Sequence, residues 1–529
     1  MKNAIAALLM CVPALLPAGA NFARAATPAG QDWPMYRGNA ARTGYTANAV
    51  PDHLQLAWKY VPAHRPNPAF ASQVRQQYDL TFHPVVAGGM LYFASSADNK
   101  VYALDAATGQ PVWTFFTEAP VRTAPAAGPH GLYVASDDGQ LYCLDRATGK
   151  CRWKCRPSPR DERIMGNDRM VSRWPARGGP VLVGDVVYFV AGMWPTEGVY
   201  IRALDAETGK LVWANDGCGA LQHSTPRAGN PKSGLAAQGN LAAGNGVLVV
   251  PTGRACPAVL ELKTGKLLFF NHGDYPNKTA GGTKVAVLGS LVAYGENYPN
   301  DTERTTRVCT ADTGEVLGVR KMTCVYADHP KMLIMADGSR LTGFAKSVTS
   351  QQRKTRDGDI TVKVAFSDQL WSCDLGFEAT DIVANDARLV VAGRGKLAVV
   401  DIAVAKVVAQ ADVGEDVLSL AVAAGRVYAA GRSGTMYCFA PGAAAARTIQ
   451  AAPATPASQG GLYADAAAKI VAATGLGEGY CLDIGCGEGE LARELALRTK
   501  MNVYGVETDP AKVERARAMY NIQRAELLP

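Results

Sequence analysis

Short runs of alternating apolar and polar residues, each closed by a turn signal, recur along most of the chain. The clearest is residues 101–113, VYALDAATGQPVW, where Asp105, a Thr-Gly pair and a Trp follow the run. The alternation predicts a strand with one packed face. Asp accepts backbone N–H groups in a tight turn, and Gly supplies positive φ. The pattern therefore predicts a strand, a turn and a second strand ending in a bulky aromatic residue.

The same pattern returns at residues 141–153 (LYCLDRATGKCRW) and 200–213 (YIRALDAETGKLVW), with weaker copies at residues 261–269 and 310–318. Upstream apolar runs such as residues 132–136 supply partner strands, so that each repeat contains four strands. Repeated four-stranded units that bury their faces by stacking are typical of a β-propeller. Counting the central hairpins predicts eight blades, or seven if one of the degenerate copies does not form a blade.

The two ends of the repeat array complement each other. Trp58 lies in residues 54–61 and takes the place of a blade-ending Trp without preceding strands of its own, whereas residues 418–439 supply three strands and no fourth. We therefore expect the N-terminal strand to complete the last blade. Closure of this kind removes exposed sheet edges.

Three motifs of the form A/C-L-D-x-x-T-G-x-x-x-W, ending at Trp113, Trp153 and Trp213, closely resemble the tryptophan-docking repeat of pyrroloquinoline quinone (PQQ) propellers. That group includes quinoprotein alcohol dehydrogenases and the propeller lipoprotein of the outer-membrane assembly machinery. The resemblance covers roughly residues 32–441 and implies a mainly β, eight-bladed ring in which each Trp packs on the next blade. Quinoprotein dehydrogenases share an adjacent Cys-Cys pair, which this chain lacks, and no calcium-binding cluster can be assigned. PQQ and calcium are therefore not expected, and no metal site or catalytic residue is assigned.

The long connections of the array should all lie on one face of the ring, because they join the last strand of one blade to the first of the next. A protein or small-ligand partner is expected there. Residues 156–180 contain six arginines, three acids and Trp174, which either grip an anionic or planar ligand or pair with Asp161, Glu162 and Asp168. The polar residues 346–363, on the opposite face, are expected to form a mobile loop.

Residues 1–25 have the order of a secretory signal peptide, namely Lys2, an apolar run and a small-x-small site at residues 23–25. No later apolar run reaches about 18 residues, so no membrane span is expected, and the chain should be periplasmic or secreted. The net charge of +7 is diffuse, which argues against nucleic-acid binding. Eleven cysteines follow Cys11, and disulfides are compatible with export. Candidates by sequence proximity are Cys151–Cys155, Cys218–Cys256 and Cys309–Cys324.

The pattern changes after the propeller, residues 26–441. Residues 442–460 are rich in Ala and Pro, as expected of a linker. Residues 461–529 then read as a partial Rossmann-like α/β unit with two strands, residues 480–484 and 503–506, around a Gly-rich turn. A complete doubly wound domain has about five or six strands.

The Gly-rich turn, GCGEG after Asp483, resembles motif I of class I S-adenosylmethionine (SAM) methyltransferases. The resemblance implies that Asp483, Gly485, Gly487 and Gly489 surround the methionine and sugar of SAM and that Glu507 holds the ribose hydroxyls. The alternative is an ordinary βαβ turn without a ligand. In so short a segment we expect SAM to bind weakly.

Three functions remain open from the sequence. The first is an exported propeller that acts as a binding or scaffold module and carries an incomplete SAM-binding segment. The second is a SAM-dependent methyltransferase of which this chain holds only the N-terminal part. The third, less favoured, is a PQQ-dependent dehydrogenase.

Overall fold

The computed structural model describes residues 31–70, 78–166, 169–222, 232–253, 255–270, 281–295, 306–320, 325–355, 358–443, 445–451, 460–519 and 525–528. The predicted signal peptide, residues 1–25, lies outside these ranges, so its assignment stays a prediction. Within them, no helix is both long and apolar enough to cross a membrane.

Eight antiparallel sheets form the predicted propeller, six of four strands and two to which a parallel fifth strand is added. Blade 1 contains Val85–Ala87, Met90–Ala94, Lys100–Asp105 and Pro111–Phe116. Blade 2 contains Ala126–Ala127, Leu132–Ala135, Leu141–Leu144 and Cys151–Cys155. Blade 3 contains Gly178–Val183, Val186–Ala191, Tyr200–Asp205 and Leu211–Asn215, with Gly239–Asn240 added beside its first strand. Blade 4 contains Ala242–Gly244, Val247–Val250, Ala258–Glu261 and Leu267–Phe269.

The second half of the ring repeats this arrangement. Blade 5 contains Lys284–Leu288, Leu291–Gly295, Thr306–Thr310 and Val316–Arg320. Blade 6 contains Tyr326–His329, Met332–Asp337, Arg340–Ala345 and Gln369–Asp374. Blade 7 contains Ala379–Ala384, Arg388–Gly393, Lys396–Asp401 and Lys406–Asp412. Blade 8 contains Val417–Ala423, Arg426–Gly431 and Met436–Phe439, and its fourth strand is the N-terminal Leu56–Val61.

The predicted closure by the N-terminal strand is confirmed. Leu56–Val61 pairs antiparallel with Met436–Phe439 and places Trp58 opposite Cys438. Arg447–Gln450, inside the predicted linker, adds a fifth strand parallel to Leu56–Val61. Strands from both ends of the repeat array therefore complete blade 8: Leu56–Val61 from its beginning and Arg447–Gln450 from its end.

Two local expectations were wrong. The strand Lys100–Asp105 is buried along its length on both faces, not one, because each blade is packed between two others. The predicted mobile loop of residues 346–363 forms a hairpin of Val348–Thr355 and Gly358–Ala365. Regular antiparallel pairing satisfies the backbone of this polar segment, and its second strand lies against Val316–Arg320 of blade 5, where Ala365 is buried.

In five blades the aromatic residue of the last strand packs on the Gly of the next blade's turn, as the resemblance implies, whereas Trp371 of blade 6 packs on Gly343 of its own blade. In four blades the indole Nε1–H also donates a hydrogen bond to a carbonyl of that turn: Trp58 to Ala106 (3.3 Å), Trp113 to Arg146 (3.0 Å), Trp153 to Glu207 (2.9 Å) and Trp213 to Leu262 (3.0 Å). In the weaker copy, Phe269 packs on Gly314 without this donor. The motif thus joins neighbouring blades by both apolar contact and hydrogen bonding.

Residues 31–46, which we call the axial strap, contact the innermost strand or its following residue in all eight blades. Backbone N–H groups at the ends of these strands donate to strap atoms as follows, in blade order: Val86 to Trp33 O, Ala127 to Pro34 O, Leu182 to Met35 Sδ, Ala243 to Ala40 O, Val287 to Ala41 O, Asp328 to Thr43 O, Ala384 to Gly44 O and Ala424 to Gln31 O. The strap therefore satisfies donors that face the ring axis and lack a partner strand.

Two buried arginines anchor the strap. Arg37, 3% exposed, pairs with Asp381 of blade 7 and lies over the ring of Tyr326 at 4.4 Å. Arg42, 1% exposed, donates to the carbonyls of Leu241 (2.6 Å) and Pro180 (3.1 Å). Burial lowers the pKa of Arg42 to about 9, so the guanidinium remains charged at neutral pH.

The C-terminal unit contains one more strand than predicted. Its helices are α1 (Leu462–Thr474), α2 (Glu490–Arg498) and α3 (Pro510–Met519). Its parallel strands lie in the order Tyr480–Ile484, Asn502–Val506 and Ala525–Leu528. The third strand was missed because AELL is a short run that is compatible with a helix end.

We expect Gly149→Ala to lower the free energy of unfolding by about 3 kcal/mol, because it combines backbone strain with overpacking. Gly149 has φ +74°, and an added Cβ would lie 2.6 Å from the Trp113 ring. Gly184→Ala is the matched control: φ is +56°, and nothing lies within 4 Å of its Cβ, so only strain of about 1 kcal/mol applies. Denaturant unfolding followed by Trp fluorescence measures both. Equal losses would show that the contact with Trp113 contributes nothing.

Candidate functional site

A cavity of about 550 Å³, including its open mouth, lies among the inner strands of the ring. Its walls come from the strap, from the connection before blade 1 and from the first strands or flanking residues of blades 4, 5 and 8. The lining residues are Tyr36, Tyr78, Leu80, Thr81, His83, Asn240, Thr283, Lys284 and Leu418. Its enclosed space is about 70 Å³, and its mixture of aromatic and polar groups suits a small polar ligand.

His83 is held as a neutral imidazole in this wall. Its Nε2 lies 3.3 Å from the carbonyl of Tyr78 and its Nδ1 lies 3.1 Å from Ser419 Oγ. Because a carbonyl only accepts, Nε2–H is the donor and Nδ1 accepts from the hydroxyl. Burial lowers the pKa of His83 to about 4. The Tyr36 ring packs edge-on against the imidazole at 4.9 Å.

Two carboxylates near the cavity are neutralised by arginines. Arg122 contacts Asp79 and Asp137 at 2.6 Å each, and Arg177 contacts Asp137 at 2.9 Å. All four side chains are at most 2% exposed. Burial alone would raise the pKa of Asp137, but Arg177 and Arg122 lower it below its usual value. The pairs fasten the connection that carries Tyr78 onto blades 2 and 3.

The described lining does not match the needs of calcium, which takes six to eight oxygens and several carboxylates. Only Asp79 Oδ1 is left without a hydrogen-bond partner among the carboxylates of this network. Across the described ranges, no cluster of three or more His, Cys, Asp or Glu side chains could hold a metal ion. The described residues of this cavity thus offer no set of carboxylate ligands for a calcium ion.

The arginine-rich connection, residues 156–180, forms mainly internal pairs. Its exposed guanidinium groups meet acids of the same segment: Arg156 with Asp161 (2.7 Å), Arg160 with Glu162 (2.8 Å) and Arg173 with Glu162 (2.7 Å). Trp174 is 4% exposed and donates Nε1–H to Glu197 O at 2.6 Å. Of the two alternatives, the structure thus shows pairing with Asp161 and Glu162; Asp168 lies outside the described residues.

The disulfide candidates are not formed in the described structure. Cys151 and Cys155 are free thiols on the fourth strand of blade 2. Cys218 is also free, so its pairing with Cys256 is absent, and Cys324 lies outside the described residues. Cys151 and Cys155 lie four residues apart on one extended strand, which separates their Cα atoms by roughly 13 Å, whereas a disulfide needs Cα atoms within about 7 Å.

In the C-terminal unit, the structure brings the five predicted binding residues together. Gly485, Gly487 and Gly489 have φ of +75°, +62° and +83°, which only Gly adopts readily. Nothing lies within 4 Å of a Cβ built on Gly485 or Gly487, so the turn is open to a ligand. Gly489 is the N-cap of α2, whose N-terminus favours negative charge.

Glu507 closes this turn from the end of the second strand. Its Oε2 accepts the N–H of Gly487 at 3.0 Å, and its Oε1 accepts the N–H groups of Thr508 (2.8 Å) and Asp509 (3.1 Å). The Asp509 and Gly487 hydrogen bonds lower the pKa of Glu507, which keeps it ionised. Burial raises the pKa of Asp483, whose Oδ2 is buried without a hydrogen-bond partner. An open turn, an ionised acid and an unsatisfied carboxylate oxygen fit a polar ligand.

Tyr36, Tyr78, His83 and Lys284 of the axial cavity were not predicted individually. The available signal was that Tyr78 and His83 belong to a long connection on the face expected to bind a ligand. Tyr36 belongs to the strap, whose sequence carried no ligand signal. Only ring closure brings it to His83.

The comparisons with known proteins agree with both parts of the chain. Residues 67–190 and 97–269 match the family model described as outer membrane protein assembly factor BamB, and residues 482–528 match a methyltransferase domain. The chain thus carries PQQ-like repeats in an eight-bladed propeller that resembles quinoprotein dehydrogenases and BamB, with a methyltransferase-like segment at its C-terminus.

The glycerol dehydrogenase large subunit of Gluconobacter oxydans (strain 621H) is 27% identical over 269 residues, covering 44% of this chain and 35% of that protein. The chain therefore spans about a third of this relative's length. A europium-containing methanol dehydrogenase superposes with a TM-score of 0.51 at 14% identity, covering 78% of this chain and 98% of the other. The quinohemoprotein alcohol dehydrogenase of Comamonas testosteroni gives 0.51 at 15%, covering 86% and 87%. These structural likenesses show the fold alone.

Acid should weaken the fold through His83. Its pKa is about 4 when folded and 6.5 when unfolded, so only the unfolded chain takes up a proton between these values. The contribution of neutral His83 is complete above pH 6.5 and lost as the pH falls towards 4, by about 3 kcal/mol in all. We expect His83→Gln to lack this component in denaturant unfolding at pH 7 and pH 4, whereas the exposed His53→Gln retains it. Identical pH dependence in all three proteins would contradict the prediction.

Proposed function

We propose that the chain is an exported binding scaffold whose propeller holds a small polar ligand in the axial cavity without a metal ion. The observation that carries this proposal is the pairing of Asp79 and Asp137 with Arg122 and Arg177. Because these two carboxylates are neutralised, the cavity is expected to bind its ligand through hydrogen bonds from the hydroxyl, amide and ammonium groups of its lining side chains. The predicted signal peptide of residues 1–25 supports a periplasmic or secreted location.

The propeller likeness to dehydrogenases gives the competing function a direct test. Purified protein mixed with PQQ and Ca²⁺ should show no shift in quinone absorbance and no alcohol-dependent reduction of an artificial dye. The matched control repeats the assay with EDTA in place of Ca²⁺. Dye reduction that requires both PQQ and Ca²⁺ would contradict the scaffold proposal and establish a dehydrogenase.

A second candidate function, favoured by the geometry around Glu507, is SAM binding by the C-terminal unit as part of a methyltransferase. Glu507 would hold the ribose hydroxyls, Gly485 and Gly487 would let the backbone approach the cofactor, and Asp483 would accept from its amino or hydroxyl groups. SAM, when bound, supplies a methyl group on a sulfonium, which is transferred to a nucleophile. The three described strands fall short of the five or six in a complete doubly wound fold, so weak binding is expected.

Calorimetry with SAM tests this second candidate. We expect Glu507→Ala to raise the dissociation constant by about tenfold or more, the usual effect of losing a hydrogen bond to a charged group. Glu478→Ala is the matched control, because Glu478 is exposed and pairs with Lys500 on the same unit. Heat of binding that is equal in all three proteins would place SAM elsewhere, and no heat in any of them would remove SAM binding for this chain.

A further inference from the structure

The C-terminal unit contacts the propeller on the face of the long connections. One contact is made by Tyr504, which lies on the middle strand of the C-terminal sheet and is 2% exposed. Its Oη accepts the backbone N–H of Met170 at 3.0 Å. Met170 belongs to a hairpin of Arg163–Gly166 and Arg169–Ser172, inserted between blades 2 and 3.

A second contact joins α3 to the edge of blade 1. The Arg517 guanidinium lies 3.4 Å from Glu118 Oε2 and 5.7 Å from the centre of the Phe116 ring. The side chains of Arg517 and Glu118 are 9% and 13% exposed, so the pair is largely withdrawn from water. An ion pair over an aromatic ring gives this contact both charge and shape complementarity.

The Tyr504 contact falls on the sheet face opposite α1 and α2, whereas Arg517 reaches the propeller from α3. One face packs on α1 and α2 through residues such as Val503 and Leu495. Tyr504 and its register partner Leu482 point to the opposite face. In a doubly wound fold, helices cover both faces of such a sheet. Here the propeller covers Tyr504 on the middle strand, whereas Leu482, its neighbour on the edge strand, is 54% exposed.

We propose that the propeller is the docking partner of the C-terminal unit, with the strands Arg163–Gly166 and Arg169–Ser172 covering Tyr504 and the edge of blade 1 pairing with α3. The docking does not depend on the SAM-binding proposal. It has a consequence for it, however: Glu507 follows Tyr504 by three residues, so docking fixes to the propeller the strand that leads to Glu507.

Hydrogen–deuterium exchange on the full chain tests the docking. Tyr504→Phe removes the acceptor of the Met170 N–H, so exchange within residues 163–172 should accelerate by about tenfold at that amide, as expected for the loss of one hydrogen bond. Tyr463→Phe is the matched control, because Tyr463 is 45% exposed on α1. Unchanged exchange in Tyr504→Phe would overturn the proposal.

A second pair of variants guards against simple unfolding of the C-terminal unit. Arg517→Ala should accelerate exchange in the propeller segment around Phe116 and Glu118, whereas Arg515→Ala should not, because Arg515 pairs with Glu488 inside its own unit. Equal effects of the two would overturn the docking. Calorimetry with SAM on the same samples separates the proposals: changed exchange without SAM binding supports docking alone, and SAM binding with unchanged exchange supports the cofactor site alone.

Discussion

The hydrogen bonds between the axial strap and the inner strands are the interaction on which the ring depends. The first strand of each blade faces the axis, and apart from the short pairing of Gly178–Val183 with Gly239–Asn240 it has no neighbouring strand on that side. Leaving such a buried N–H unpaired costs about 1–3 kcal/mol each. One continuous segment, residues 31–46, accepts from all eight blades and carries Arg37 and Arg42 into the core. The strap also brings Tyr36 to the wall of the axial cavity, so it supports the candidate site as well as the fold.

Around the circumference, a different contact holds neighbouring blades together. The indole of one blade lies on the Gly of the next, and there is no room for a Cβ between them: one built on Gly109 or Gly265 would lie 2.6 or 2.5 Å from the ring. In blade 4, Phe269 packs on Gly314 in the same way but has no N–H group to donate the hydrogen bond. Degenerate repeats can therefore keep the architecture, because packing and ring closure share the stabilisation.

The two candidate sites differ in how charge is used. In the propeller, Asp137 is buried between Arg122 and Arg177, and the cavity presents a neutral His83. In the C-terminal unit, Glu507 stays ionised at an open turn and Asp483 keeps a buried oxygen without a partner. The first arrangement suits hydrogen-bonded binding, and the second suits the hydroxyl groups of a ribose. Their separation on two units is consistent with a scaffold that carries a second, smaller binding function.

Local patterns in the sequence determined the repeat, the blade count, closure by Leu56–Val61 and the Gly-rich turn with Glu507. Each of these depends on strand periodicity, turn chemistry or a short motif, all of which act over a few residues. Tertiary structure alone decided the strap, the pairing of Arg122 with Asp79, and the cavity. Arg37 and Asp381 lie 344 positions apart, and Arg122 and Asp79 lie 43 apart. No local pattern specifies such partners, because they meet only after the ring has closed and brought all eight inner strands to a common axis.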